Sequence, residues 1–206
     1  MNSINNFELI HIGKCGGSSI TDELRDRKIK FTRVHIRKVA YNPNKKYVIV
    51  IRNPIKRFIS AFYWRYHLVC KTKKQENRFK NEKDFLNKYQ NVDNLCNDLK
   101  INPDIFNSNY VHHIKEDIHF YLKDFIDKCP KNQILGVICT ETLKEDMKYI
   151  FDINVVKHEK KNGNNETINV ESYKILKKYL KNDYMIIDKM FEYGWIYDKK
   201  YKILKE

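Results

Sequence analysis

The sequence has no apolar run near the roughly 18 residues that a membrane-crossing helix needs. Its mean hydropathy is -0.68, so no transmembrane span is expected. Met1 to Asn6 is polar and lacks the hydrophobic stretch of a secretory signal; a cytoplasmic location is therefore the expectation. The five cysteines, Cys15, Cys70, Cys96, Cys129 and Cys139, include no C-x-x-C pair, which excludes a zinc ribbon and a thioredoxin motif. An odd, widely spaced set reads as reduced thiols. Internal repeats and a dividing linker are also lacking, so residues 1–206 read as a single domain. Arginine is scarce past the first third: Arg25, Arg27, Arg33, Arg37, Arg52, Arg57 and Arg65 lie within it and only Arg78 beyond.

What is present is a chain of 206 residues, 42% hydrophobic and 13% aromatic. That length and composition support a core without disulfides or a structural metal. The formal net charge is +14 and the pI about 9.4. Most of the basic residues are Lys, and Asn, Ile and Tyr are also abundant. AT-rich codons encode all four, so compositional bias contributes to the charge. Arg resists that bias and grips phosphate with a planar fork. An anionic ligand is thus expected near the N-terminal third. The 14 Tyr and 11 Phe in a basic chain also fit a nucleic-acid-binding module, although no nucleic-acid motif is recognisable.

The apolar run from Phe7 to Ile12 predicts a buried strand, and Gly16 to Arg27 a loop entering a helix, with Ser19 to Asp22 fitting a capping box. Lys30 to His35 predicts a second strand. Lys46 to Ile51 is apolar almost throughout, as central parallel strands are. Asn53 and Pro54 follow as N-cap and first helical residue, and Ile55, Phe58, Ile59, Phe62, Tyr63 and Tyr66 recur at helical spacing. Further helices are expected at 82–89, 92–99, in part of 112–126, after Glu141, at 170–181 and at 183–193, where Gly194 stands as C-cap. Gln133 to Cys139 predicts another strand. Strand–loop–helix repetition makes the expected fold α/β, with a mainly parallel central sheet flanked by helices in three layers.

Two segments carry chemistry. In the first, His11-Ile-Gly-Lys-Cys-Gly-Gly-Ser-Ser-Ile20, a strand meets a glycine-bearing loop and then a helix. That geometry aims free N–H groups and the positive helix end at one point. Gly16 and Gly17 allow close approach, Ser18 and Ser19 add hydroxyls, and Lys14 adds a mobile cation. A nucleotide-triphosphate loop would place its glycines before the Lys, as G-x-x-x-x-G-K-[ST]. Lys14 precedes the Gly pair, which argues against a P-loop-type nucleotide or small-molecule kinase. In the second segment, Arg52-Asn-Pro-Ile-Lys-Arg-Phe-Ile-Ser60, a strand end again enters a helix. Ligands of open α/β sheets gather at such ends, where Arg52 and Ser60 could hold a second phosphate.

Taken together and in this order, the two segments resemble the PAPS-dependent sulfotransferases, particularly the carbohydrate sulfotransferases. Their first motif looks like H-I-P-K-T-G-G-T-S and their second like R-[DN]-P-x-x-R-[FL]-x-S-x-[YF]. The resemblance covers the first third closely and the rest loosely. It implies a P-loop-like three-layer fold. It also implies that Lys14, Cys15, Gly16, Gly17, Ser18 and Ser19 bind the 5′-phosphosulfate of 3′-phosphoadenosine-5′-phosphosulfate (PAPS), and that Arg52 and Ser60 bind its 3′-phosphate. Two departures stand out. Gly13 replaces the usual Pro. Cys15 replaces a Thr, leaving a backbone N–H and a thiol beside the anion whose redox sensitivity would depend on thiolate formation.

The implied chemistry is in-line sulfuryl transfer to an acceptor hydroxyl, expected on a glycan. Lys14 would neutralise charge on the leaving phosphate. His35, between the motifs, is the expected base, with His11 as runner-up. His112, His113 and His119 could line the acceptor side. Their spacing makes no H-E-x-x-H motif and no metal is expected. Lys161 and Asn162 stand where the family has a loop closing over the nucleotide. Glu141 reads as structural, organising basic side chains. The segment from Cys70 to Lys128 should shape the acceptor pocket.

Overall fold

The computed structural model describes residues 5–154 and 167–206. Four strands form one all-parallel sheet: β1 (Phe7–His11), β2 (Phe31–Val34), β3 (Tyr47–Ile51) and β4 (Ile134–Cys139). Their spatial order is β2-β1-β3-β4. Every residue of β1 and β3 is buried, as expected of central strands that read apolar on both faces. The edge strand β2 exposes Thr32 and Arg33. Ten α-helices accompany the sheet among the described residues: α1 (Gly17–Asp26), α2 (Pro54–Tyr66), α3 (Glu82–Tyr89), α4 (Val92–Ile101), α5 (Ile105–Ser108), α6 (Ile118–Leu122), α7 (Leu143–Phe151), α8 (Val170–Tyr179), α9 (Lys181–Glu192) and α10 (Asp198–Lys205). This is an α/β architecture. No described helix is long and apolar enough to cross a membrane.

Local chemistry explains the element that matters most here. The Asn53 side chain accepts from the Lys56 N–H at 3.0 Å, and Pro54 occupies the first turn of α2, where its missing N–H costs nothing. Asn53 Nδ2 also donates to the Leu204 carbonyl at 3.2 Å, so the last helix is fastened to the start of α2. On α2, Phe58 and Phe62 are fully buried.

One expectation needs correction. The capping box at Ser19–Asp22 is absent, because α1 already begins at Gly17, behind Gly16 in a left-handed conformation (φ 76°). The stretch 112–126 is helical in part, as expected, over Ile118–Leu122. Helix α10 was not foreseen: its sequence DKKYKILK looks like solvated charge. Yet Lys200 is buried and donates to the Asp146 carboxylate at 2.7 Å and to the Val137 carbonyl.

The order of the strands places a crevice. From β1 the chain crosses through α1 to β2 on one side, and from β3 through α2 onward to β4 on the other. The C-terminal ends of β1 and β3 therefore flank the point where the winding reverses, which is where open parallel sheets bind ligands. His11 pairs with Val50 in register, so the loop after His11 and the arginine after Ile51 emerge side by side.

Candidate functional site

The loop after β1 turns twice through left-handed conformations, at Lys14 (φ 67°) and Gly16 (φ 76°). Alternating hands in successive residues gather N–H groups into a concavity. The first-turn N–H groups of Gly17 and Ser18 open α1 and have no intrahelical acceptor, and the turn carries no acidic residue. Thr140 ties this loop to β3. Its hydroxyl lies 2.9 Å from the Cys15 carbonyl and 3.2 Å from the Ile51 carbonyl. Sequence reasoning missed Thr140, although it follows β4 as Arg52 follows β3.

Lys14 extends over the indole of Trp64 on α2, with Nζ 4.5 Å from the ring centroid. Burial, reinforced by the Arg52 charge, lowers its pKa to about 8. Arg52 Nη1 donates to the Lys14 carbonyl at 3.4 Å, and its Nε stands 3.8 Å from Glu141 Oε1. Glu141 also accepts from the Asn53 N–H at 3.3 Å and from the Cys139 thiol at 2.9 Å. Its carboxylate thus organises Arg52, as expected. Two cations facing the same loop, one with its charge already disfavoured by the other, make a site that an anion would relieve.

Other expected residues take different places. Cys15 is wholly buried and its thiol is pushed up to about 12, mainly by burial. The open question of thiolate formation is thus answered by burial, which keeps Cys15 a thiol. Its N–H turns back to the Ile12 carbonyl at 3.4 Å, so Cys15 does not complete the cradle. Ser18 is exposed at the loop mouth and Ser19 is buried. Ser60 is half-buried on α2, six residues past Pro54 and so about 9 Å further along the helix. Arg52 instead joins the loop. Arg57 is fully buried and donates to the carbonyls of His113 at 2.7 Å and Glu116 at 3.4 Å. It holds the 113–116 turn against α2. Lys161 and Asn162 lie outside the described residues.

The histidines form the other wall. His35 follows β2, half-buried, with Nδ1 2.7 Å from the His11 carbonyl. A carbonyl only accepts, so Nδ1 carries the proton and Nε2 holds the lone pair. Burial lowers the pKa of His35, against the opposing bond to His11, which keeps the ring neutral at pH 7. Its ring stacks on His11 at 4.2 Å and lies 5.5 Å from His113, which stacks on His112 at 4.0 Å. Trp64 is 5.3 Å from His113, so the cation and the imidazoles share one aromatic neighbour. Burial first, then neighbouring cations and imidazoles, lowers His11 to about 3 and His113 to about 2. His119 sits apart on α6, where its N–H donates to Asp183.

Two glycines are where these rings need them. A Cβ on Gly13 would lie 2.2 Å from His113 Nδ1, and one on Gly17 would lie 2.1 Å from His11 Cδ2. A proline at position 13 would therefore collide with His113. The departure from the familiar motif is matched by an imidazole a hundred positions later in the sequence.

Comparison with family models, curated proteins and solved structures returns no match. A separate hollow of about 640 Å³ lies among residues of α3, α4 and α5, lined by Asp84, Phe85, Tyr89, Asp98 and Ile105 among others. It contains none of the loop, arginine or histidine residues above, so the middle segment makes a cavity of its own besides lending His112 and His113 to the crevice.

Proposed function

We propose that this protein is a sulfotransferase that moves a sulfuryl group from PAPS to an acceptor hydroxyl, with a carbohydrate as acceptor and a P-loop-like fold as scaffold. The observation that carries the reading is a convergence at one winding reversal of a parallel sheet. It brings together the Lys14 loop, Arg52 and a histidine whose free Nε2 is fixed by a backbone carbonyl. The ordered pair of motifs, which resembles the carbohydrate sulfotransferases, supplies the donor's identity.

In this reading the loop N–H groups and Lys14 hold the phosphosulfate, and Arg52 adds charge from β3. The acceptor oxygen attacks sulfur in line. The bond from sulfur to the bridging oxygen breaks, and 3′-phosphoadenosine-5′-phosphate leaves with the electron pair. Lys14 neutralises the charge that builds on that oxygen. His35 Nε2 takes the acceptor's proton, a step suited to a neutral imidazole near pH 7. Positioning and charge stabilisation supply most of the rate, as in phosphoryl transfer.

Titration calorimetry with 3′-phosphoadenosine-5′-phosphate tests the reading directly. Stoichiometric binding is expected, and no detectable binding would overturn it. Mass spectrometry of a glycan panel incubated with PAPS then identifies the acceptor.

A further inference from the structure

The turn between α5 and α6 carries a second constellation that sulfuryl transfer does not use. His112, His113 and Glu116 are all buried, and one donor atom from each lies within 4.8 Å of the others. Three features show that this cluster is built. Buried charge clamps the backbone of the turn: Arg57 holds the His113 and Glu116 carbonyls, and Glu82 accepts the His112 N–H at 2.9 Å. The backbone at His113 is left-handed, with φ 65°, an uncommon conformation for a residue with a Cβ and one that calls for an explanation. Finally, His113 is 5% exposed and its Nδ1 is buried without a hydrogen-bond partner.

The polar shell around the cluster orients it. Tyr110 donates to Glu116 Oε1 at 2.6 Å, so its oxygen accepts from His112 Nδ1, 3.0 Å away. His112 is thereby held with the proton on Nδ1, which also lies 3.6 Å from Glu116 Oε2, and the lone pair on Nε2. A hydroxyl that fixes the tautomer of one imidazole and the orientation of a neighbouring carboxylate is the kind of outer-shell partner that metal ligands require. Nearby positive charge is partly compensated. Arg65 is paired with Glu82, its Nε donating at 2.9 Å, and Lys14 is directed onto Trp64.

We propose that His112, His113 and Glu116 bind one divalent transition-metal ion of the zinc, cobalt or nickel type. Two imidazoles and a carboxylate suit those ions better than magnesium or calcium, which prefer all-oxygen shells. Tetrahedral binding at about 2.1 Å needs donors about 3.4 Å apart, so the three side chains would close inward around the ion. Three protein ligands leave a fourth position for water or a ligand oxygen. The order H-H-x-x-E, carried on a turn rather than a helix, matches no short metal-binding motif and so goes unseen in a motif search.

The test uses the untagged full chain, stripped with a chelator and titrated with Zn²⁺ by calorimetry and with Co²⁺ by visible absorption, with no nucleotide added. One equivalent should bind, with cobalt bands of a tetrahedral site. Affinity should fall at least tenfold in His112→Ala and in Glu116→Gln, and stay unchanged in His119→Ala. Glu116→Gln keeps a carbonyl oxygen for the His113 N–H and turns an amide N–H towards the Tyr110 oxygen, which can accept it, so its fold, checked by circular dichroism, should survive. Absence of stoichiometric binding, or wild-type affinity in a folded Glu116→Gln variant, would overturn the proposal. Because no nucleotide is present, either result leaves the sulfotransferase reading to its own test.

Discussion

The two walls of the crevice are built in opposite ways. The anion wall is made from backbone: a short loop, two left-handed residues, a helix start and the arginine after the neighbouring strand. Its parts lie close in sequence or in register across two adjacent strands. The histidine wall is made from side chains, and its members come from β1, from the residue after β2 and from a turn far along the chain. The anion wall is charged and only partly buried. The imidazole wall is largely buried and packed ring upon ring. Backbone sites tolerate changes of side chain, whereas a stack of rings depends on each neighbour's shape.

That contrast can be broken from either side. The largest effect is expected in turnover: His35→Ala should lower sulfate transfer by about 10²–10⁴-fold while leaving nucleotide affinity within a few-fold in calorimetry. Unchanged turnover would remove His35 as the base. Next comes affinity. Lys14→Ala should weaken binding of 3′-phosphoadenosine-5′-phosphate by roughly 10–100-fold, the worth of a charge-assisted contact to phosphate. In the wild type, Lys14 loses its proton as pH rises through about 8. Affinity should therefore decline between pH 7 and 9, a decline that Lys14→Ala abolishes.

Two smaller effects sharpen the comparison on the histidine side. Gly13→Ala should destabilise the fold by about 1–3 kcal/mol through overpacking, because its Cβ would meet the His113 ring. His113→Gly removes that ring and suits the left-handed backbone, so the double variant should recover most of the loss in denaturant melts. Additive losses would show that the two positions are not coupled. Acid should also loosen this wall. His11 and His113 have folded pKa values well below that of a free imidazole, so the unfolded chain takes up protons first. Stability is full above about pH 6.5 and falls as pH drops towards 3, by on the order of 2 kcal/mol per ring at pH 5. A melting temperature that does not change between pH 7 and 5 would contradict this.

The same contrast explains what could be read without coordinates. Strands β1 and β3, the Asn53 cap and helices α2 and α3 were legible because periodicity and capping are local. The Lys14 loop and Arg52 were legible because each immediately follows a strand. The start of α1 was misjudged: the Ser19–Asp22 pattern is valid chemistry, but a glycine in a left-handed conformation had already opened the helix. Whether the Cys15 thiol would ionise was open in the sequence, because its burial, which decides the matter, is not local information. The roles of Arg57, Thr140 and Lys200 were hidden because each is defined by a partner distant in sequence. His112, His113 and Glu116 lie within five residues, but on a turn and in an order that matches no short metal-binding motif.

The imidazole of His113 resting on Gly13 has a consequence for how the molecule comes to be. A contact between positions so far apart closes late, since the intervening chain must first surrender its freedom. The loop after β1 therefore has its described shape only where the turn between α5 and α6 is docked against it. A nucleotide that recognises that shape stabilises the assembled chain and not its first third alone. Added during refolding, it would act as a reporter of completed assembly.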